Sequence, residues 1–522
     1  MAEVVLETLH ADVLVIGGGP AGAWAALSAR ERGAERVVLV DKGYCGTSGA
    51  TASANTGVWA VTPEGDSRER SIARRLQNSR GLGRVETMAS VLEQTWERLA
   101  QLAAWGYPFP TDDQGRPWRE DLRGPDYMAF MRKRLRQAQV QVLDHSPALQ
   151  LLVADGAVRG ALGQRLQSDR PYRVEARAVV LASGGVAFLS KTLGCDVNTG
   201  DGLLMAAEAG AELSGMEFSA QYGICPAYSS VTKGLPYFWA TFTDEVGQPI
   251  APHPVRQIAV GRALLRGPVY AVLDRANADV QRWLRVGQPN CFLPHDRLGI
   301  DPFTQRFPIT LRSEGTVRGT GGVRILDRHG KTGVPGLYAA GDAASRETLV
   351  GAATGGGAPN AAWAMSSGTW AGHAAADFAR RQTGSVPESQ AAGAVGLRND
   401  SPLPAAQVIS QVQAEALPLD KNLFRSQPRI LASLTQLDAL WSLAHEGLGG
   451  VGRARVRARE AAALLSAARF AYRSALARSE SRGLHQRTDA EAEDPAQAHS
   501  LAARGPDQVE VRTYVYREGA SA

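Results

Sequence analysis

The feature that most limits the fold is a glycine-rich turn between an apolar run and an alanine-rich run. Residues 13–16 are apolar, residues 17–22 read Gly-Gly-Gly-Pro-Ala-Gly, and residues 23–32 have helical character. A second apolar run, residues 36–40, ends on Asp41. This order predicts a strand, a tight turn, a helix and a second strand ending in an acid, which is typical of a dinucleotide-binding βαβ unit.

Each glycine of this turn suits a separate requirement of dinucleotide binding. Gly17 lets the chain turn tightly, Gly19 lets the backbone approach a pyrophosphate, and Gly22 lets the helix pack closely on the strand. The helix N-terminus presents N–H groups and partial positive charge to the phosphates. Asp41 stands where a carboxylate binds ribose hydroxyls. The alternative is a glycine turn with only a structural role. Asp41 follows the predicted strand, turn and helix at the expected spacing, and this favours a dinucleotide site.

Composition and charge narrow the class of protein. The chain has 522 residues, of which 44% are hydrophobic and 21% charged, and this predicts a globular protein of about two to four domains. The formal net charge is +5, and the basic residues are scattered rather than clustered. We therefore expect no nucleic-acid partner.

Targeting and metal-binding signals are missing from the sequence. No apolar run approaches the roughly 20 residues that a membrane-spanning helix needs. Residues 1–10 carry Glu3 and Glu7 and no basic segment, so we expect no signal peptide and a cytoplasmic protein. The cysteines are far apart and form no CxxC pair, which argues against a zinc, iron–sulfur or other metal site in this chain. They are Cys45, Cys195, Cys225 and Cys291.

Further glycine-rich segments follow apolar runs later in the chain. Residues 42–59 are small, polar and glycine-rich and predict a loop along a flat ligand, with a flexible linker as the alternative. Residues 178–181 predict a buried strand that meets Ser183 and Gly184, and residues 337–340 predict another that ends at Gly341-Asp342. A second glycine-rich turn, ending near Asn360, precedes a clear helix over residues 361–379.

Differences in amino-acid composition divide the chain into segments. Residues 219–318 are richer in proline and aromatic residues and predict an inserted domain. Amphipathic helices are expected over residues 405–478, and a strand near the end of the segment 479–522. The spacing also predicts one long helix over residues 68–105 and a short strand at Met216–Phe218.

Several motifs together resemble the flavoprotein family of succinate dehydrogenase, fumarate reductase, L-aspartate oxidase and adenylylsulfate reductase. They are the turn at residues 17–22 with Asp41, Thr199-Gly200-Asp201-Gly202 followed by Ala209-Gly210-Ala211 and Met216-Glu217-Phe218, the run 336–342, Lys421-Asn422-Leu423-Phe424-Arg425, and Ser479-Glu480-Ser481-Arg482-Gly483-Leu484-His485. The resemblance covers nearly the whole chain. It implies an α/β fold in which a Rossmann-like FAD-binding domain, residues 1–218 and 319–385, is split by an α+β capping domain, residues 219–318. A helical domain, residues 405–478, and a C-terminal segment, residues 479–522, follow.

The resemblance also implies hydride transfer between flavin N5 and a small-molecule substrate held under the cap. By match to its motifs, Gly17, Gly19 and Gly22 hold pyrophosphate, Asp41 the ribose and Asp342 the ribityl chain, while Asp201 contacts the cofactor or braces its loop. Residues expected to line the flavin are Ser48, Gly49, Ala50 and Thr51, and the cofactor-binding set also includes Pro20, Ala21, Lys42, Ser183, Gly184, Gly341 and Asn360. Members with covalent FAD use a histidine near Ala50, and none is present here. We therefore predict non-covalent FAD.

The sequence departs from the family where dicarboxylate substrates are clamped. No arginine lies between residues 351 and 360, and the histidines expected after Phe218 and before Gly321 are missing. Residues 237–239 read Tyr-Phe-Trp where the family has an arginine and glycines. We therefore expect a flatter or more apolar substrate than succinate, fumarate or aspartate, held by stacking and burial. Core packing is the alternative for these aromatic residues.

The candidates for acid–base chemistry are Arg318, Tyr222, His253 and Arg256. Arg318 precedes the glycines expected near the flavin, although a surface arginine is an equal alternative, and His253 in a proline-rich loop is more often structural. We expect His485 to brace an interface. The function favoured is a stand-alone dehydrogenase or oxidase. The alternatives are a flavoprotein subunit with a separate iron–sulfur partner or other electron-acceptor protein, a fumarate-reductase-like reductase, and a protein with structural FAD. The oligomeric state stays open, a homo-oligomer included.

Overall fold

The computed structural model describes residues 6–111, 114–354, 356–382, 384 and 387–516. Glu3 and the outer ends of the predicted terminal segments lie outside these residues. The strands are β1 Glu7–Ile16, β2 Val37–Val40, β3 Asn55–Gly57, β4 Asp121–Arg123, β5 Gln141–Leu143, β6 Ala148–Ala154, β7 Ala157–Arg165, β8 Arg170–Leu181, β9 Leu213–Ser214, β10 Tyr222–Pro226, β11 Thr241–Asp244, β12 Val269–Val272, β13 Phe307–Ser313, β14 Gly322–Val323, β15 Leu337–Ala339, β16 Gln390–Ala391, β17 Ser500–Arg504 and β18 Glu510–Tyr514.

Helices cover the sheets and form the C-terminal part of the molecule. They are α1 Pro20–Glu31, α2 Ser67–Asn78, α3 Val85–Ala104, α4 Gly124–Gln137, α5 Asp201–Glu208, α6 Arg256–Leu264, α7 Ala278–Gly287, α8 Pro289–Leu298, α9 Gly315–Arg318, α10 Glu347–Val350, α11 Gly357–Arg381, α12 Ala405–Ala416, α13 Gln427–Gly447 and α14 Arg453–Ala477. Across the described chain, no helix is both long and apolar enough to cross a membrane.

The largest sheet carries the glycine-rich turn. Its parallel strands are β15, β8, β1, β2 and β5, and the antiparallel strands β7, β6 and β16 extend one edge. β1 and β2 are buried along Val13–Ile16 and Val37–Val40, because helices cover both faces of a parallel sheet. Helix α1 packs between this sheet and α11, where Gly368 and Gly372 let the two helices approach backbone to backbone.

A separate antiparallel sheet lies within the predicted insert. Its strand order is β10-β13-β12-β11, and its core is distinct from that of the large sheet. A third sheet, β14-β9-β17-β18, joins the C-terminal hairpin to strands on either side of the insert. Helices α12, α13 and α14 pack together after them. This arrangement of a parallel sheet, a second α+β unit and a helical C-terminal part confirms the predicted fold class.

Two local predictions were wrong. Residues 68–105 form two helices, α2 and α3, because Arg80 and Gly81 take positive φ values of 56° and 85° and break the first helix. Met216–Phe218 is a short 3-10 helix rather than a strand. Its apolar–polar–apolar order resembles strand alternation, but all three residues are buried, and Glu217 pairs with Arg478 at 2.8 Å.

Candidate functional site

A cavity of about 1260 Å³ opens at the carboxyl ends of β1, β2, β8 and β15. We call it the main cavity. Ligands of open α/β sheets bind at this edge. Its wall includes every residue predicted to bind the cofactor except Gly22, which lies beneath it. These lining residues are Gly17, Gly19, Pro20, Ala21, Asp41, Lys42, Ser48, Gly49, Ala50, Thr51, Ser183, Gly184, Asp201, Gly341, Asp342 and Asn360.

The three glycines of the first turn differ in what surrounds them. A Cβ on Gly17 would lie 2.3 Å from the Ala182 carbonyl oxygen, and φ at Gly17 is +108°. A Cβ on Gly22 would lie 1.8 Å from the Gly17 carbonyl oxygen. Nothing lies within 4 Å of the corresponding position on Gly19. Gly17 and Gly22 are therefore required by the fold, whereas Gly19 leaves open space beside the N-terminus of α1.

Asp41 follows β2, and its carboxylate is hydrogen bonded to the glycine-rich turn. Its Oδ2 accepts a hydrogen bond from Gly18 N at 2.6 Å, and its Oδ1 accepts bonds from Gly43 N and Ser48 Oγ, both at 2.8 Å. The carboxylate is thus fixed at the cavity wall by donors on one side. Oδ2 accepts one hydrogen bond and therefore retains acceptor capacity for a ribose hydroxyl.

Lys42 joins the cavity wall to the helical C-terminal part. Its ammonium contacts Asp201 Oδ2 at 2.6 Å and Glu460 Oε1 at 2.9 Å, and donates to Thr199 Oγ1 at 2.6 Å. Burial lowers the pKa of Lys42, but the two carboxylates raise it further, so the net shift is upward. The lysine and Asp201 therefore brace each other, and Asp201 begins helix α5 at the cavity.

Buried polar atoms test whether the main cavity suits FAD. Among the described residues, Ser183 Oγ, Asn198 Oδ1 and Asn360 Oδ1 are buried without a hydrogen-bond partner, and all three residues line the cavity. Such atoms are costly unless a ligand satisfies them. The phosphates, sugar hydroxyls and ring edges of FAD supply both donors and acceptors, so the residues present fit this group.

Asp342 is held by an arginine that the sequence analysis did not single out. Arg346 is fully buried, and its Nη1 donates to Asp342 Oδ1 at 2.6 Å. Burial raises the pKa of Asp342, and the guanidinium of Arg346 only partly opposes this shift. The remaining Arg346 donors bond the carbonyl oxygens of Thr316, Val317 and Gly319. Arg346 therefore ties Asp342 to the segment that carries Arg318.

Arg318 lines the main cavity and is not a surface residue. Its Nη1 donates to the Thr232 carbonyl oxygen at 2.7 Å and pairs with the carboxylate of Glu314, which is 1% exposed. Thr232 Oγ1 donates to the same Glu314 oxygen at 2.6 Å. Burial lowers the pKa of Arg318, but Glu314 and other nearby acidic groups together raise it, so the net shift is upward. The guanidinium is therefore charged and fixed in orientation.

The structure does not place the other predicted catalytic residues at the main cavity. The Tyr222 hydroxyl donates to the Leu417 carbonyl oxygen at 3.0 Å, inside the interface with the helical part. Burial also raises the pKa of Tyr222. His253 Nδ1 accepts from Val255 N within its own loop at 3.0 Å. The Arg256 guanidinium lies over the Phe238 ring at 3.9 Å, and that ring is 63% exposed.

The three consecutive aromatic residues that were expected to hold the substrate, residues 237–239, do not form one binding surface. Tyr237 is buried, Phe238 points to solvent under Arg256, and Trp239 contacts the Trp283 ring at 6.2 Å between centroids. None of the three lines the main cavity. Tyr237 instead lines a second, smaller cavity inside the insert. Successive residues of a short 3-10 helix, Pro236–Trp239, point in different directions, which the linear sequence did not reveal.

Lys233 is a site residue that the sequence analysis missed. It lines both the main cavity and the second cavity. Burial lowers its pKa to about 8, and nearby Arg318 adds to the shift. A signal was present in the sequence, since Lys233 is the one charged residue between Glu217 and Asp244.

Cys45 and His485 have structural positions. Cys45 is buried, does not line the main cavity, and donates through Sγ to the Gly18 carbonyl oxygen at 3.3 Å. Burial raises its pKa to about 12, and a protonated thiol is a poor nucleophile. His485 is fully buried, with Nδ1 on Arg425 at 2.8 Å and Nε2 on the Arg478 carbonyl oxygen at 3.0 Å.

Comparisons with known proteins agree with this geometry. Residues 12–222 match the FAD binding domain family, and residues 425–518 match the fumarate reductase flavoprotein C-terminal family. L-aspartate oxidase of Streptomyces coelicolor is 28% identical, over 92% of this chain and 89% of the relative. The fumarate reductase flavoprotein subunit of Mycobacterium tuberculosis is 27% identical, over 96% of this chain and 96% of the relative.

Solved structures show the same fold. The quinol fumarate reductase FrdA of E. coli gives a TM-score of 0.82 at 22% identity, over 99% of this chain and 98% of that chain. Adenylylsulfate reductase of Archaeoglobus fulgidus gives 0.79 at 19% identity, over 99% and 97%. The chain is therefore a FAD-dependent oxidoreductase and belongs to the flavoprotein family of succinate dehydrogenase, fumarate reductase, L-aspartate oxidase and adenylylsulfate reductase.

Proposed function

We propose that this enzyme acts as a dehydrogenase or oxidase on a small organic substrate that is not a C4 dicarboxylate. Bound FAD supplies the hydride acceptor or donor. The observation that carries the proposal is the set of charges on the main cavity wall. The cations there, among the described residues, are Lys42, Lys233 and Arg318, and no described histidine lines the cavity.

A dicarboxylate needs a cationic clamp at each end. Bidentate arginine pairs suit that task because the guanidinium matches the carboxylate fork. Here Lys42 is engaged by Asp201 and Glu460, and Arg318 is engaged by Glu314 and the Thr232 carbonyl. Arg346, the other arginine near this part of the cavity, donates to Asp342 and backbone carbonyls instead. This arrangement supports a substrate with one anionic group or none.

The roles of the cavity residues are also proposed here. Gly17, Gly19 and Gly22 shape the phosphate site, Asp41 binds the ribose and Asp342 the ribityl chain. Arg318 presents a fixed positive charge to the substrate or to the reduced cofactor. We assign cofactor binding to residues 1–218 and 319–385, and exclusion of water to the cap over residues 219–318. The absence of a described histidine from the cavity wall and the buried, protonated Cys45 support non-covalent FAD.

A second candidate is a fumarate-reductase-like flavoprotein subunit that exchanges electrons with an iron–sulfur partner. The names of the relatives support it, since one of them is the mycobacterial fumarate reductase flavoprotein subunit, matched over nearly its full length. The charged residues of the main cavity argue against this candidate, because they do not form two cationic clamps for the two carboxylates of fumarate.

An anaerobic experiment tests the proposal. The purified yellow protein is mixed with separate amines, hydroxy acids, steroids and aromatic acids, and the visible absorbance of oxidised flavin is followed. We expect one class to bleach the band, and the colour to return on admission of air or another acceptor. Bleaching by a reduced iron–sulfur protein but by none of these compounds would favour the second candidate.

A further inference from the structure

Asn198 is a buried residue on the wall of the main cavity, and its amide oxygen is unsatisfied. The residue is 7% exposed, and Oδ1 accepts no hydrogen bond from any described residue. Its backbone, in contrast, is engaged. Asn198 N donates to the Cys195 carbonyl oxygen at 2.9 Å, and Ala187 N donates to the Asn198 carbonyl oxygen at 3.0 Å. The residue is therefore fixed in place while its side-chain acceptor lacks the donor that burial requires.

Gly184 leaves the space that this amide occupies. φ at Gly184 is +78°, and a Cβ there would lie 2.0 Å from Asn198 Nδ2. The amide therefore packs on the Gly184 backbone, just after strand β8. Ser183 Oγ, one residue earlier, is likewise buried without a partner in the described part of the chain. A ligand that carries hydrogen-bonding groups can satisfy both atoms at this part of the wall.

The position of Asn198 along the main cavity follows from the contacts of Lys42. Lys42 Nζ donates to the Val197 carbonyl oxygen at 3.3 Å and to Thr199 Oγ1 at 2.6 Å, on either side of Asn198 in the chain. Lys42 directly follows Asp41, which we propose binds the ribose next to the pyrophosphate. Asn198 therefore lies at the Asp41 end of the main cavity.

Apolar side chains border the same end of the cavity. Ser146 N donates to the Asp41 carbonyl oxygen at 2.7 Å, and this bond brings Pro147 and Ala148 close to Asp41. Both residues line the main cavity, as does Val40 at the end of β2. An apolar wall with a single amide suits a flat ring that has a polar edge. In FAD, the ring attached to this ribose is adenine.

We propose that Asn198 recognises the adenine ring of FAD, with Oδ1 accepting a hydrogen bond from the exocyclic amino group of the ring. A carboxamide oxygen is a suitable acceptor for this group, and asparagine identifies adenine in DNA through the same amino group. The inference concerns the choice of dinucleotide and not the substrate. It rests on the proposed role of Asp41 at the ribose.

Fluorescence titration of the full-length protein, freed of flavin, tests the inference. The two ligands are FAD and flavin purine dinucleotide, an FAD analogue whose adenine lacks only the amino group. We expect the wild type to bind FAD about tenfold more tightly, because the analogue leaves the buried Asn198 oxygen without a donor.

Variants show whether Asn198 causes this preference. Asn198→Leu has a similar shape but no amide, so it should bind FAD about tenfold more weakly than wild type and should bind both dinucleotides equally. Asn198→Asp keeps an acceptor oxygen and should keep the preference for FAD. Asn399→Leu is the matched control, because Asn399 is exposed and accepts from Arg455 at 2.7 Å, and it should change neither affinity. Thermal unfolding verifies that each variant is folded.

Two results would overturn the inference. One is equal affinity of the wild type for the two dinucleotides. The other is a preference for FAD that persists in folded Asn198→Leu protein, even if both dinucleotides bind more weakly, because the amide would then contact another part of the cofactor. Neither result involves a substrate, so the proposed function is tested separately by the bleaching of the flavin.

Discussion

Arg346 and Asp342 form a buried pair that joins the cofactor side of the main cavity to the segment carrying Arg318. The guanidinium donates to Asp342 Oδ1 at 2.6 Å and, through Nη2, to the carbonyl oxygens of Thr316 and Val317 at 2.8 and 3.0 Å. The Arg346 side chain thus positions Asp342, a predicted FAD contact, and also the backbone just before Arg318, the predicted substrate cation.

Removing Arg346 should therefore affect stability and FAD together. In Arg346→Met, the Asp342 carboxylate loses its partner, and breaking a buried pair from one side costs about 3–5 kcal/mol. We expect a lower free energy of unfolding in denaturant and faster loss of FAD on dilution. Arg346→Lys should recover part of the stability. Wild-type FAD retention in Arg346→Met would contradict the positioning role.

The glycine turn makes a sharper prediction, because its glycines differ in surroundings. Gly22→Ala places a methyl group 1.8 Å from the Gly17 carbonyl oxygen, so we expect destabilisation of at least about 1–3 kcal/mol. Gly19→Ala meets no atom within 4 Å, so the apoprotein should unfold within about 0.5 kcal/mol of wild type.

FAD affinity distinguishes the role of Gly19 from a structural one. The added methyl group occupies the space assigned to the pyrophosphate, so Gly19→Ala should bind FAD more weakly in fluorescence titration. Gly267→Ala, which also meets no atom within 4 Å but lies far along the chain in the insert, is the control and should bind FAD as the wild type does. If Gly19→Ala binds FAD as tightly as the wild type does, the proposal that the pyrophosphate lies beside Gly19 is contradicted.

Much of this site follows from local sequence, and some of it does not. The turn at Gly17, Gly19 and Gly22, with Asp41 at the next strand end, is confined to one βαβ unit, so its geometry could be predicted from spacing. Lys233 could not be placed at the main cavity, because its neighbours Glu314 and Arg318 are more than eighty residues away in sequence. The position of the Tyr222 hydroxyl could not be predicted either, because its partner, the Leu417 carbonyl oxygen, follows helix α12 in the C-terminal part.

FAD should be released when the protein is denatured. The main cavity is lined by no described histidine, and burial keeps the Cys45 thiol protonated. After acid precipitation we expect all yellow colour in the supernatant and none in the pellet. Flavin that stays with the polypeptide would show a covalent bond, and peptide mass spectrometry would then locate it.

Glu347 should make stability depend on pH. Burial raises its pKa to about 7, and nearby Glu217 adds to the shift. The folded protein therefore holds a proton that the unfolded chain releases above its ordinary pKa of 4.5, so stability falls as pH rises from about 4.5 to 7. Glu347→Gln removes this titration. Its melting temperature should fall less between pH 5 and 8 than that of wild type, and parallel curves would contradict the assignment.

Arg318 should matter for turnover and not for cofactor loading. Its guanidinium is charged and oriented by Glu314 and the Thr232 carbonyl. With the substrate identified by flavin bleaching, Arg318→Met should lower kcat/KM about 100- to 1,000-fold while FAD content stays the same. Arg256→Met, whose guanidinium lies over an exposed ring, is the matched control and should keep its activity. Full activity in Arg318→Met would exclude a substrate role.

The most direct test of the central claim is a turnover assay of the FAD-loaded protein with succinate, fumarate and L-aspartate. Oxidation of succinate and aspartate is followed with an artificial acceptor and with oxygen, and reduction of fumarate with a reduced viologen dye. Because Lys42 and Arg318 on the wall of the main cavity are engaged by Asp201, Glu460 and Glu314, we predict no turnover of any of the three above a flavin-free control. Robust turnover of any one would show that the main cavity does clamp a dicarboxylate and would contradict the account.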